Sequence, residues 1–419
     1  MEENSYVSNK RKFNDAWAFV LYVIYYLGCN SFLAMSVDSK DTGSFNPKLF
    51  LVLSTSTLCL IVFNFIAFSY FCEFTLKFSM VLFPLVQIVL LVLFPNPISI
   101  FFGVIGILIW LFFISYYWSR IPTIAKMFSY ATKICLKHFF ACFFAISLCS
   151  FVQIAQIVLT SMVFPSADRN TSMVIIALLV LNFYWTLANF TYFFKVYVSS
   201  IIAYHFIEYG GERIDVFSGA FSNTLYALGS ISYAGLVLAA VQTLKYIVIS
   251  ERNRNREEER RSILVDIILC LCLCIISLLE DVIKFANEFS MPYIAIHGCG
   301  YVQSVKESYR LITNRNSVAM CGVTMLNCAL FLFSLLMMGI TFVLTYFFSL
   351  QDVKLDFSDK LFLNSCINTL IAVCVVYYTT MSLFVSSYLA LIYLHTERPQ
   401  LISNVDEEIA EICRKAKED

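Results

Sequence analysis

Ten long apolar runs divide this chain of 419 residues, and little polar sequence separates them. They cover Ala16–Val37, Lys48–Phe71, Phe78–Phe94, Ile98–Trp118, His138–Val163, Met173–Tyr204, Phe221–Val248, Ile263–Ala286, Ser317–Phe348 and Leu361–Leu394. A bilayer core is roughly 30 Å thick, and a helix crosses it with about 20 residues. Hydrophobic residues make up 59% of the chain and charged residues 14%, with a mean hydropathy of +0.76, too little polar surface for a chain folded in water. Helices satisfy their backbone hydrogen bonds in lipid by themselves, and these runs are too long and too unalternating for barrel strands. The expected fold is an all-α integral membrane protein, a polytopic bundle of about ten transmembrane helices with two amphipathic surface helices on the cytoplasmic side. Residues 1–15 form a cytoplasmic N-terminal segment, 16–394 the transmembrane domain and 395–419 a cytoplasmic tail.

The first run is too long for a cleavable signal, and no small-residue cleavage site follows it. Lys10, Arg11 and Lys12 precede it and belong in the cytosol. An even number of spans then puts both termini inside, in the plasma membrane or, as the alternative, an internal one. The loop Ser119–Lys137 agrees, with Arg120, Lys126, Lys133 and Lys137 on the inner side. The loop Ser250–Arg261 does not: its five arginines fall outside, so it is an exception or a neighbouring run does not cross. Asn170-Thr171-Ser172 matches the glycosylation pattern in a short outer loop close to the lipid.

Two segments read as amphipathic surface helices. Arg120–Lys137 is basic and precedes the fifth run; Tyr301–Asn314 repeats Val302, Val305, Tyr309 and Ile312 at helical spacing. The tail Val405–Asp419 reads as a water-exposed helix, acidic at its start and basic at its end, as the helix dipole favours.

The formal net charge of zero implies no nucleic-acid partner. Most of the fifteen cysteines sit inside the apolar runs as small packing residues. Cys270, Cys272 and Cys274 cannot converge on one ion, because helical positions two apart point about 200° away from each other. His138, His205, His297 and His395 all fall near inner boundaries, where interfacial placement explains them. Gly-rich phosphate loops, Gly-x-Ser-x-Gly elbows and helical His-Glu-x-x-His are absent. The expectation is no enzyme, no cofactor and no metal.

Charge inside a membrane helix costs about 2.5–3.5 kcal/mol per residue on insertion scales. Lys195 lies well inside the sixth run, and Glu280, Asp281 and Lys284 near the inner end of the eighth. Glu280 and Lys284 are four apart and pair on one face; marking the membrane boundary, or snorkelling for Lys195, is the bland alternative. Aromatic residues with polar tips cluster at Phe183-Tyr184-Trp185. Trp185, Asn189 and Tyr192 share a helix face, and Tyr226, Ser230 and Tyr233 repeat that spacing on the next run, with Ser232 beside them. A quaternary ammonium has no N–H to donate, so its pocket must use aromatic faces, worth about 2 kcal/mol per desolvated contact. A membrane belt is the other reading of such residues, but Trp185 lies far from both ends of its run.

Several stretches together resemble the choline transporter-like family, including its fungal branch. The clearest is Leu279–Ile312, where Glu280, Phe285, Asn287, Ile294, Ala295, Gly298, Tyr301, Ser304 and Lys306 fall on the family pattern. Lys12-Phe13-Asn14-Asp15 resembles the fungal N-terminal motif, Tyr184-Trp185 and Leu228-Gly229-Ser230-Ile231 with Gln242 the central motifs, and Thr396-Glu397-Arg398-Pro399 the end of the last span. Met291 and His297 stand where the family usually has Tyr, Lys195 where many relatives have His, and Leu389-Ala390 replaces an Asp-Thr pair. The resemblance implies a carrier of about ten helices for choline or a related amine such as ethanolamine, embedded among membrane lipids. Substrate contacts are expected from Tyr184, Trp185, Asn189, Tyr192, Tyr226, Ser230 and Ser232. An inner gate or coupling element is expected at Lys195, Glu280, Lys284, Tyr293, His297 and Ser304. The rival expectation is a membrane scaffold or lipid-handling protein that transports nothing, for which the basic amphipathic segments would matter most.

Overall fold

A computed structural model describes residues 12–36, 59, 61–93, 97–163, 173–209, 215–257, 263–315, 317–352 and 360–418. Among them no strand occurs. The helices are α1 (Ala16–Ser36), α2 (Ile61–Tyr70), α3 (Cys72–Leu93), α4 (Pro97–Tyr117), α5 (Ile121–Lys137), α6 (Phe139–Val163), α7 (Met173–Tyr209), α8 (Val216–Tyr226), α9 (Leu228–Glu257), α10 (Ile263–His297), α11 (Tyr301–Arg315), α12 (Ser317–Asp352), α13 (Lys360–Glu397), α14 (Pro399–Val405) and α15 (Glu407–Glu418). Seven described stretches are long and apolar enough to cross a membrane. The runs at 48–71 and 317–348 contribute the shorter described apolar helices Ile61–Tyr70 and Met320–Leu336. The Asn170 sequon, and the part of the arginine loop from 258 to 261, lie outside the described residues.

Element boundaries differ from the apolar runs at several places. α3 begins at Cys72, ahead of the apolar stretch, because Glu73 and Lys77 pair across one turn at 2.6 Å. The seventh run divides: Asp215 caps α8 by accepting from the Phe217 N–H at 3.2 Å, and the chain breaks at Ala227 before α9. α10 continues past Ala286 through Pro292 to His297, which puts Glu280 in mid-helix rather than near its inner end.

α7 is the axis of the bundle. It packs against α1, α5, α6, α8, α9, α10, α13 and α14, and every side chain from Tyr192 to Phe206 is buried. Around it stand two groups: α1, α9, α10 and α11 on one side, and α3, α5, α12 and α13 on the other, with α6 bridging. Lipid tails are as apolar as Leu, so packing and interhelical hydrogen bonds must hold such a bundle together. Gln153 on α6 is one tie. Its amide donates to the Leu187 carbonyl at 3.2 Å and to Thr191 Oγ1 at 3.1 Å, and it accepts from Thr379 Oγ1 at 2.8 Å, joining α6, α7 and α13.

Both amphipathic segments form helices that pack one face against the bundle. α5 buries Ile121, Ile124, Phe128 and Ile134 against its neighbours α3, α7, α13 and α15, and turns Lys126, Lys133 and Lys137 outward. On α11 the inward face is Tyr301, Ser304, Ser308 and Ile312, while Val302 and Tyr309 are exposed. The stripe is thus split, with Ile312 buried and Val305 against the core, and the inward face is partly polar: Ser304 Oγ donates to the Ser290 carbonyl at 2.8 Å. The tail is not simply solvated. Asp406 caps α15, and Ile409 is buried where α15 meets α5.

Gln153→Leu removes three hydrogen bonds that span three helices. It should cost about 1–2 kcal/mol of stability, read as a lower midpoint of thermal unfolding in detergent, while Cys149→Ala, one turn away and without polar ties to other helices, should cost less.

Candidate functional site

Three polar assemblies lie along the bundle interior. The first is at the junction of α1, α7 and α9. Trp185 is 2% exposed and donates its indole N–H to the Ser232 carbonyl at 3.0 Å. Tyr22 and Tyr25 of α1 cover it, with ring centroids 5.3 and 5.6 Å away, and Tyr184 packs at the edge. Beside these rings the Tyr22 hydroxyl lies against Thr186 and Asn189, and these buried groups meet without a hydrogen bond of good geometry. A buried group left in that condition costs about 1–3 kcal/mol. Gly235 of α9 makes the close approach to α7: a Cβ there would lie 2.2 Å from Asn189 Oδ1 and 3.1 Å from Trp185 Cδ1. The junction is an aromatic box in which the Tyr22 hydroxyl of α1 faces Thr186 and Asn189 of α7.

The second assembly is ionic and runs down α10. Glu280 accepts from Lys245 Nζ at 2.7 Å and Gln242 Nε2 at 3.2 Å, both on α9, and its other neighbour is Lys284 at 2.6 Å. The expected Glu280–Lys284 pair therefore forms, with a second cation added from α9. Two turns further along, Glu288 pairs with Lys195 of α7. The step from Glu280 to Glu288 is about 12 Å along the axis at about 1.5 Å per residue. Lys195, Lys284 and Glu288 line a cleft of about 440 Å³ between α10, α12 and α13.

The third assembly closes the end of the bundle where the chain enters. Asp15 is the one non-glycine residue with positive φ, 53°, among those described. Its carboxylate accepts from the Tyr301 N–H and from Ser230 Oγ, both at 2.8 Å, which caps α11 and ties it to α9. Asn14 donates to the carbonyl of Gly298, itself at φ 61°, at 2.7 Å. Gly229 lets the segment in: a Cβ there would lie 2.0 Å from the Asn14 carbonyl oxygen. What space remains among Lys12, Asn14, Tyr226, Ser230 and Cys299 is about 10 Å³. Burial there pushes the Cys299 thiol up to about 11. Deeper in, Asn287 donates to the Tyr192 hydroxyl at 2.8 Å and accepts from the Tyr301 hydroxyl at 2.6 Å. His297 and Glu397 stand 2.5 Å apart and join the ends of α10 and α13, with the Tyr293 ring 4.1 Å from that of His297.

The seven residues expected to contact a substrate are thus divided. Tyr184, Trp185, Asn189 and Ser232 meet at the aromatic box. Tyr192 belongs to the Asn287 bridge, and Tyr226 and Ser230 belong to the closed mouth. Of the residues expected at a gate, Tyr293, His297 and Ser304 sit at the closed end, whereas Glu280, Lys284 and Lys195 belong to the ionic ladder. Sequence reasoning missed Tyr22, Tyr25, Thr186, Asp15 and Glu288 as site residues. Glu288 was within reach of it, because 280, 284 and 288 repeat every four residues on one helix face. Among the described residues no three His, Cys, Asp or Glu side chains converge as metal ligands.

A helical membrane bundle with an aromatic box, buried ion pairs and a sealed end defines a polytopic membrane protein whose interior is built for polar contact. Residues 100–393, about 70% of the chain, match the family described as plasma-membrane choline transporter. The chain belongs to that family. Among curated proteins it is similar to Protein PNS1 of Saccharomyces cerevisiae, 22% identical over 141 residues, which is 34% of this chain and 26% of that one. The Kluyveromyces lactis PNS1 is 24% identical over 132 residues, 31% of this chain and 24% of the relative. For the Candida albicans PNS1 the figures are 21% over 123 residues, 29% and 23%. The matched stretch therefore spans about a quarter of each relative's length.

Loss of the Asp15 clamp should unseal the mouth. In Asp15→Ala, modification of Cys299 by a membrane-impermeant thiol reagent, followed by mass spectrometry of that peptide, should run about tenfold faster or more, since two hydrogen bonds to a charged group, about 1.5–3 kcal/mol each, are gone. An unchanged rate would show that the segment does not depend on Asp15 to stay seated.

Proposed function

We propose that this chain carries choline or a closely related amine, such as ethanolamine, across a membrane by alternating access. Membership of a family of choline transporters supports the substrate class. The observation that carries the proposal to particular residues is the aromatic box at Trp185, with the Asn189 amide and the Thr186 and Tyr22 hydroxyls beside its rings. A trimethylammonium group is held by ring faces, because it has no proton to give. The hydroxyl of choline needs a hydrogen-bond partner once it leaves water, and Asn189 or Thr186 supplies one. In this arrangement the rings of α1 lie directly on Trp185, so admitting a solute requires α1 and α7 to separate. Gly235, which sets the closeness of α7 and α9, fixes how far the box can shut.

The Lys12–Asp15 segment, the Asn287 bridge and the His297–Glu397 pair form the inner gate, closed here. The same end of the bundle carries Lys12 together with Lys126, Lys133 and Lys137 of α5, which by the positive-inside rule supports a cytosolic position for that end and for both termini. The helical extension of α9 through Arg252, Arg254 and Arg256 then points outward as an exception to that rule. The family description supports a plasma-membrane location.

The test is uptake of radiolabelled choline into proteoliposomes. The wild-type protein should show saturable uptake that ethanolamine or tetramethylammonium inhibits. Trp185→Ala should reduce choline uptake by about thirtyfold, the equivalent of about 2 kcal/mol for a desolvated cation–π contact, and Asn189→Leu should raise the KM for choline more than for tetramethylammonium, which lacks the hydroxyl. Full activity in Trp185→Ala would remove the box; no uptake of any amine would remove the carrier.

A further inference from the structure

The cleft between α10, α12 and α13 is separate from the aromatic box and is not explained by it. Its volume of about 440 Å³ falls within the range of about 300–1,000 Å³ typical of small-molecule sites. Phe285, Phe289, Phe331 and Tyr378 line it, and the Glu288 carboxylate reaches it. Aromatic faces around one carboxylate are the chemistry that recognises an organic ammonium ion. Yet the carboxylate is already taken. Lys195, with a side chain 4% exposed, crosses from α7 to pair with Glu288, whose side chain is 19% exposed and so faces the cleft. Lys284 at the cleft edge does not compete for Glu288, because Glu280 holds it at 2.6 Å.

We propose that this cleft is a second site for an organic cation and that Lys195 occupies it from within. An ammonium ion entering between the rings competes with the Lys195 ammonium for Glu288. When it wins, the lysine moves within the cleft to the amide oxygen of Asn327 or the hydroxyl of Ser382, which line the same space. The lysine also keeps Glu288 from standing as an unpaired buried charge while no solute is bound. Lys195 thus sets the affinity of the cleft by competition rather than by contact with the ligand.

The experiment uses the purified full-length protein and tetramethylammonium as the probe. By titration calorimetry, Lys195→Met, which keeps the length of the side chain and removes the competing charge, should bind the probe about tenfold tighter or more than wild type. Adding Glu288→Gln to that variant should abolish the gain. Trp185→Ala in the Lys195→Met background should leave the gain intact, which separates this site from the aromatic box. The wild-type protein gives an independent reading in case Lys195→Met does not fold. Saturating tetramethylammonium should increase acetylation of Lys195 by acetic anhydride, measured by mass spectrometry, because displacement frees the amine. No tightening in a folded Lys195→Met, or an unchanged acetylation of Lys195 in wild type, overturns the proposal.

Discussion

A helix wholly enclosed by other helices has no solvent to satisfy its polar side chains, and α7 is in that position from Tyr192 to Phe206. Every polar group on it must be answered by its own backbone or by a neighbour. Ser199 and Ser200 turn back to carbonyls one turn earlier, at 2.8 Å each. Asn223 of α8 then bridges Ser200 and the Ala295 carbonyl of α10, at 2.6 and 2.8 Å. Lys195 takes Glu288 from α10, and Thr191 takes Gln153 from α6. The requirement that these groups find partners decides which helices surround α7 and at what height. The pattern lapses at the Tyr197 hydroxyl within this stretch and, above Tyr192, at Asn182, Thr186 and Asn189, the last two beside the aromatic box.

The closed end shows the opposite balance. Asp15 adopts a left-handed backbone, which costs a residue of this kind about 1–3 kcal/mol. Two hydrogen bonds to its carboxylate, about 1.5–3 kcal/mol each, offset that cost. The net preference for closure is a few kcal/mol at most. A contact of that strength holds on average and still opens at thermal energies, which is what the proposed gate asks of it. A hydrophobic plug of the same size would hold more firmly and open more slowly.

The sequence disclosed the fold class because hydrocarbon imposes a length and a composition on each span that no short element can imitate. Its ends were harder to read. Glu73 and Lys77 look like a loop until their pairing at 2.6 Å makes them part of α3, and Glu288 looks like the far side of a boundary until Lys195 of α7 neutralises it. Such compensation is invisible one helix at a time. The same limit shaped the candidate site. Trp185 and Asn189 were legible together because they share a face of one helix. Tyr226 and Ser230 repeat that spacing, but the break at Ala227 and the arrival of Asp15 assign them to the mouth instead. Tyr22 and Tyr25 carry the ordinary signature of an interfacial belt, and only the packing of α1 on α7 makes them walls of the box.

The two proposed cation sites differ in what they demand when empty. Ring faces carry no net charge, so the box at Trp185 can stand without a solute and needs no counterion; its cost lies in the amide and hydroxyls that meet without good hydrogen bonds, about 1–3 kcal/mol each. A carboxylate such as Glu288 has no such freedom. Inserting a charge costs about 2.5–3.5 kcal/mol at the centre of a membrane helix, and an unpaired one would also be deprotonated only at a penalty. A resident lysine meets both demands, and it does so from a different helix, which makes the pairing sensitive to the relative position of α7 and α10. Any motion that separates α7 from α10 weakens the ion pair and leaves Glu288, which already faces the cleft, without its partner. Both proposed sites draw on α7, through Trp185 at one height and Lys195 at the other.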